Sequence, residues 1–142
     1  MEAELTHIDP TREAFEIFKS LPRDQPIDML NLIRLRKAAL YPDGRGVSGA
    51  EAYAEYGRVS GPVFQRVGGE IVWRGTPQAM LIGPADGLWD IAFIARYPSA
   101  AAFLEMVTDR FYQEEAVPHR QAAVSDSRLI RHAVKTGGQQ FG

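Results

Sequence analysis

Residues 48–75 read SGAEAYAEYGRVSGPVFQRVGGEIVWRG, and this stretch decides the fold. Ser48 and Glu51 form an S-x-x-E capping box: the serine hydroxyl accepts the N3 amide, and the glutamate reaches back to the cap amide. Behind the cap, Ala52, Tyr56, Val59, Val63 and Val67 recur at three- and four-residue spacing, which predicts a helix with one apolar stripe turned to a core. Gly68-Gly69 supplies a left-handed stop. Glu70-Ile71-Val72-Trp73-Arg74 then alternates at the strand period. The unit is helix, glycine stop, strand.

Working outward, a chain of 142 residues at 45% hydrophobic and 24% charged can bury one good core, so one domain is expected. The division expected is an N-terminal helical extension over 1–26, a single domain over 27–134 and a mobile tail over 135–142. A net charge of -2 with dispersed Lys and Arg gives no basic footprint, which argues against nucleic acid as a partner. The sequence holds no cysteine, so thiol catalysis and cysteine-ligated metal are excluded and a reducing compartment suits it. No run approaches the roughly 20 apolar residues of a membrane helix, and no secretory signal is legible. No membrane partner and a cytoplasmic location are expected.

Upstream, Asp9-Pro10-Thr11 is expected to open a short helix, with the aspartate as cap and Phe15 and Phe18 on one side. Ile27 to Leu35 reads as a strand apolar on both faces, so both need cover. Residues 41–47 are turn-rich. Downstream, Gln78 to Ile82 is expected to return as an added hairpin strand after the turn at Gly75-Thr76-Pro77. Trp89 to Tyr97 is expected to be a strand whose odd positions, Trp89, Ile91, Phe93, Ala95 and Tyr97, share one apolar face. Ser99 caps a helix with Phe103, Met106 and Val107 buried, a helical stretch interrupted at Pro118 covers 112–124, and Ser127 to Ala133 is the last strand.

Without the first helix the order is β-α-β-(β)-β-α-β, the ferredoxin-like, split βαβ pattern of an α+β sandwich. Two helices cover only one sheet face. The other would be a bare apolar surface, and a homodimer pairing two such faces into a dimeric α/β barrel would bury it.

Glu51-Ala52-Tyr53-x-x-Tyr56, Gly68-Gly69-x-Ile71-Val72-Trp73-Arg74-Gly75, Arg96-Tyr97-Pro98-Ser99 with Ala102-Phe103, His119-Arg120-x-Ala122-Ala123 and Asp126-Ser127-Arg128-Leu129 together resemble the family called domain of unknown function 1330. The resemblance spans roughly residues 27–134. It implies the dimeric α/β-barrel fold and a homodimer, and no established reaction.

Group by group, the chemistry is sparse. Gly44-Arg45-Gly46-Val47-Ser48-Gly49 matches G-x-G-x-x-G, but it starts too far past its strand for a dinucleotide turn, and turn glycines with a capping serine explain the letters. His7, His119 and His132 share no metal-ligand spacing, so no metal site is expected. His119 beside Arg120 and near Tyr112 is the candidate catalytic base, with a structural role at a helix end as the plainer reading. Arg74, Arg96 and Asp126 lie on or at the ends of strands, where an unpaired buried charge is costly, so they pair, reach solvent or line a polar pocket. Asn31 needs a partner within an apolar strand. The ligand-binding set expected is therefore Arg74, Asp126, Asn31, Arg96, Tyr112 and Arg120, with His119 catalytic. No cofactor is expected. The reading is a homodimer that binds, and transforms, a small anionic or enolisable organic molecule without metal or nucleotide. A non-catalytic dimeric module is the alternative, and haem held by His119 a third.

Overall fold

The structure, a computed structural model, describes residues 6–142. In chain order it contains α1 (Arg12–Ser20), β1 (Ile27–Leu35), α2 (Gly49–Arg66), β2 (Glu70–Gly75), β3 (Ile91–Tyr97), α3 (Ala100–Val107), a π-helical turn (Tyr112–Ala116), α4 (Val117–Ala123) and β4 (Val124–Ala133). The four strands form one antiparallel sheet in the order β2-β3-β1-β4, the ferredoxin-like arrangement.

The capping box forms as the sequence predicts: Ser48 Oγ accepts from Glu51 N at 3.0 Å, and Glu51 Oε1 accepts from Ser48 N at 3.0 Å. Gly68, at φ 86°, ends α2 in the left-handed region that glycine adopts without penalty. Strand alternation then sorts the sheet. Ile27, Met29 and Ile33 of β1 stand opposite Tyr97, Ala95 and Ile91 of β3 and turn to the helices. They join Val63, Val67, Phe103 and Met106 in one core cluster and Ala52, Ala122, Ala123 and Val124 in a second.

On the other face, register aligns Glu70, Arg96, Asp28 and His132 in a row across all four strands. Asp28 and Arg96 pair there through two hydrogen bonds, at 2.8 and 3.0 Å. Next to this row lies an apolar band of Trp73, Ile94, Leu30 and Ile130, followed by Ala92 and Leu32. At its far end Trp89 stands between Arg34 (4.9 Å from ring centroid to guanidinium) and Arg128 (5.2 Å).

Several expectations are corrected. Thr11, not Asp9, caps α1: its Oγ1 accepts from Ala14 N at 3.1 Å, and Pro10 precedes the cap instead of filling the first turn. Residues 78–82 form no strand. The β2–β3 connection is a loop over 76–90, and Leu81 and Ile82 at its tip are 94% and 91% exposed. The loop is fastened by contacts that alternation does not encode: Arg34 donates to the carbonyls of Asp86 and Leu88, and Leu35 N donates to Asp90 Oδ2 at 2.7 Å. Trp89 consequently leaves the strand, which begins at Ile91, and packs on the arginines instead of the helix-facing core. Trp73 is half exposed on the open face. The last strand starts at Val124, three residues ahead of the expected Ser127, which takes Asp126 into the sheet.

Candidate functional site

The local path of the chain at residues 109–123 builds the site. Asp109 opens it, its carboxylate accepting from Tyr112 N at 2.9 Å and from Arg66 at 2.8 Å. Both contacts hold the Asp109 carboxyl below its ordinary range, the Tyr112 amide first. Pro118 follows five residues after Gln113 and has no N–H to return to the Glu114 carbonyl, so the turn ahead of it widens to i→i+5 spacing. That turn places Tyr112 inward and Arg120 two turns further on.

Tyr112 is buried, and its hydroxyl lies 2.8 Å from that of Tyr56 on α2. The Tyr53 ring packs on Tyr56 at 5.5 Å. Burial pushes all three phenols up, against the opposing positive charge of Arg120, so each keeps its proton at neutral pH. Tyr56 and Tyr112 bring two protons to one shared hydrogen bond. One O–H therefore remains free to donate to a third atom.

Arg120, half-buried, makes no ion pair with a carboxylate among the described residues. It donates instead to the Ile8 carbonyl and to Ser127 Oγ, the latter at 3.2 Å. Ser127 Oγ donates on to the His7 carbonyl at 2.7 Å, and His7 N donates to Asp126 Oδ1 at 2.9 Å. Arg120, Ser127 and Asp126 thus form a continuous polar clasp around the backbone of residues 7 and 8. Burial would raise the Asp126 carboxyl. The His7 amide, the Arg128 guanidinium at 2.9 Å and the Ser127 amide outweigh it and hold the group below its usual range.

The residues singled out in the sequence divide into groups. Arg120 and Asp126 are joined through Ser127 and the His7 backbone, and Tyr112 lies close enough to Arg120 to feel its charge. His119, although next to Arg120, has other neighbours. Tyr41 Oη lies 2.6 Å from its Nδ1, and the ring borders a shallow surface groove with Glu55, Val59, Pro62, Phe111 and Glu115. Tyr41 and His119 thus share one hydrogen bond whose direction is set by the imidazole tautomer. Asn31 faces the helices opposite Phe93, and its Nδ2 donates to the Met29 carbonyl at 3.1 Å. Arg96 belongs to the charged row on the open face. Arg74 is exposed on the edge strand β2, opposite Phe93, without an ion pair among the described residues. No cluster of His, Asp or Glu among the described residues is placed to hold a metal ion.

Three contributors escaped sequence reading. Tyr53 and Tyr56 sit at core spacing on α2, and nothing in the spacing distinguishes a buried phenol that packs from one that also donates. Ser127 appears only as one more polar residue at a strand start. Its role depends on residues 7 and 120, which the fold brings together from opposite ends of the chain.

The fold and this cluster define a class: an α+β protein of ferredoxin-like topology with an arginine and protonated tyrosines between sheet and helices. The chain belongs to the family described as Domain of unknown function (DUF1330), whose family model matches residues 46–133. Among solved structures, it is similar to the RPA0582 protein of Rhodopseudomonas palustris, a protein of unknown function, with a TM-score of 0.89 at 59% identity, covering 94% of this chain and 100% of that one. A crystal structure of methylated RPA0582 matches with a TM-score of 0.90 at 60% identity, covering 94% and 98%. A dimeric ferredoxin-like protein of unknown function from Bacteroides fragilis matches more distantly, with a TM-score of 0.47 at 10% identity, covering 77% and 96%. No curated protein matches the chain. Among the described residues, no helix is long and apolar enough to cross a membrane.

Proposed function

We propose that this chain works as a homodimer that binds a small anionic or enolisable organic molecule at the Arg120–tyrosine cluster, without metal or nucleotide. The observation that carries the reading is Arg120 itself. A half-buried guanidinium with only neutral partners among the described residues is an uncompensated charge in a poorly solvated place. A ligand carboxylate or enolate would compensate it. The free O–H of the Tyr56–Tyr112 pair supplies a directed donor for an oxygen on which negative charge collects. Arg74 and His119 make contacts away from this cluster. His119 enters the proposal as an imidazole bordering the neighbouring groove.

The homodimer is supported by the open sheet face, where an apolar band lies between a charged row and the Arg34–Trp89–Arg128 stack. A dry centre with a polar rim is the anatomy of a protein interface. A cytoplasmic location, consistent with a sequence without cysteine, belongs to the same proposal.

A thermal-shift screen with aromatic and aliphatic 2-oxo acids, phenolic acids and 1,3-dicarbonyl compounds tests the binding. A ligand should raise the melting temperature of the parent protein in proportion to its saturation. The same compound should lose most of its effect on Tyr112→Phe and on Arg120→Lys. If no compound shifts the parent, or if both variants respond as the parent does, the reading fails.

A further inference from the structure

The clasp of Arg120, Ser127 and Asp126 holds a piece of the chain's own backbone in the pattern of an acid ligand. His7 N–H donates to Asp126, His7 O accepts from Ser127, and Ile8 O accepts from Arg120. The three body groups offer one acceptor and two donors, one of them cationic. We propose that this clasp is the polar-end subsite of the ligand and takes a 2-hydroxy acid or the enol of a 2-oxo acid. In it the ligand hydroxyl would replace His7 N–H on Asp126, and its carboxylate would replace the His7 and Ile8 carbonyls on Ser127 and Arg120. The inference rests on the binding reading above and adds the ligand's class and what it must displace.

Two observations support displacement. First, a carboxylate matches the guanidinium better than a peptide carbonyl does, because the acceptor then carries charge. Second, the segment that would move is weakly held. The helix that follows it, α1, contains no buried residue. The segment's apolar ties are the half-buried Ile8 against the second core cluster and Phe18 against the first, 5.0 Å from Phe103 between ring centres, and its polar ties include Gln121 to Asp9 at 3.1 Å and Arg131 to the Phe18 carbonyl at 3.1 Å. An element with few buried apolar contacts opens at low free energy. The N-terminal strap is therefore a resident occupant that a ligand of this pattern competes with.

The test compares the full chain with a full-length His7→Pro/Gln121→Ala variant, which removes the His7 N–H and the Asp9 tie without touching the clasp. The first readout is phenylglyoxal modification of Arg120, followed by peptide mass spectrometry, with exposed Arg74 as the internal reference. Arg120 should react at least fivefold faster in the variant, at an unchanged Arg74 rate. Mandelate and phenylpyruvate should slow that reaction and should bind the variant at least fivefold more tightly than the parent. Circular dichroism on both proteins establishes that the body stays folded. Equal Arg120 rates, or a faster rate that neither acid slows, overturn the inference. In either case a compound whose thermal shift depends on Tyr112 would leave the broader binding reading standing.

Discussion

The hydroxyls of Tyr56 and Tyr112 lie 2.8 Å apart inside the molecule, and burial keeps both protonated. Removing either oxygen leaves the other without its partner, at a cost of about 1–3 kcal/mol for a buried unsatisfied group. Tyr56→Phe and Tyr112→Phe should therefore each lower unfolding stability by about that amount. The double variant, which removes both polar groups, should lose less than the sum. Urea denaturation of the four proteins gives the coupling directly. Strict additivity would mean that the two hydroxyls do not depend on one another.

At Gly49, the first residue of α2, a Cβ would meet the Arg36 carbonyl oxygen at 1.9 Å and its carbon at 2.8 Å. Both atoms are backbone and held by the bond from Arg36 N to Ala123 O at 2.8 Å. Elsewhere in a helix Gly→Ala gains about 0.5–1 kcal/mol. Gly49→Ala should instead lose about 1–3 kcal/mol, the range for forced overpacking. Gly57→Ala, where nothing lies within 4 Å, is the matched control and should gain stability. Thermal melts of the two variants should move in opposite directions.

Asp126 sets a pH dependence whose sign is fixed. Its folded-state pKa lies below the unfolded one, so in the acid range the unfolded chain binds more protons. The stabilisation is present above the unfolded value of about 3.9 and is lost as pH falls through the folded one. Asp126→Asn should be less stable than the parent at pH 7, with the gap narrowing steadily between about pH 5 and pH 2. Melting temperatures of both proteins across that range measure it.

Ile94 sits in the middle of the apolar band of the open face, between Leu30 and Trp73 in register. In a two-fold dimer Ile94→Asp would bring a carboxylate from each copy into the same dry patch. Each carries a desolvation penalty of several kcal/mol, so the dissociation constant should rise by at least about 100-fold. Sedimentation velocity over a micromolar concentration series should show the parent as a dimer and the variant as a monomer. A parent that stays monomeric throughout would exclude the dimer.

The periodic parts of this fold were legible because each rests on neighbours in sequence. The Ser48–Glu51 box spans three residues, the α2 stripe recurs every three or four, β1 declares itself as a run apolar on both faces and β3 by its apolar odd positions. Residues 78–82 misled because an apolar run after a turn says nothing about whether a partner strand is at hand. The connection is decided by Arg34 and Arg128, which draw Trp89 two strands away to the β1–β4 end of the sheet. Thr11 displaced Asp9 as the α1 cap through a two-residue shift of the helix start. Within the site, Tyr112 and Arg120 were legible as candidates because they crowd one short segment with His119. The clasp was not: its bonds join residues more than 110 positions apart, and two of its acceptors are carbonyls that every residue carries.

The loop over residues 76–90 is tied down at both ends independently of its tip. Gly75 pairs with Ala92 at one side, while Trp89 and Asp90 are fixed to β1 and β4 at the other. Between them Leu81 and Ile82 contribute nothing to either core cluster. Anchored feet and an unencumbered crest are what a graft needs. A compact fluorescent domain spliced between Gly83 and Pro84 would sit on a stem that moves with the Arg34–Trp89–Arg128 stack and so would report on the open face of the sheet from within the same polypeptide.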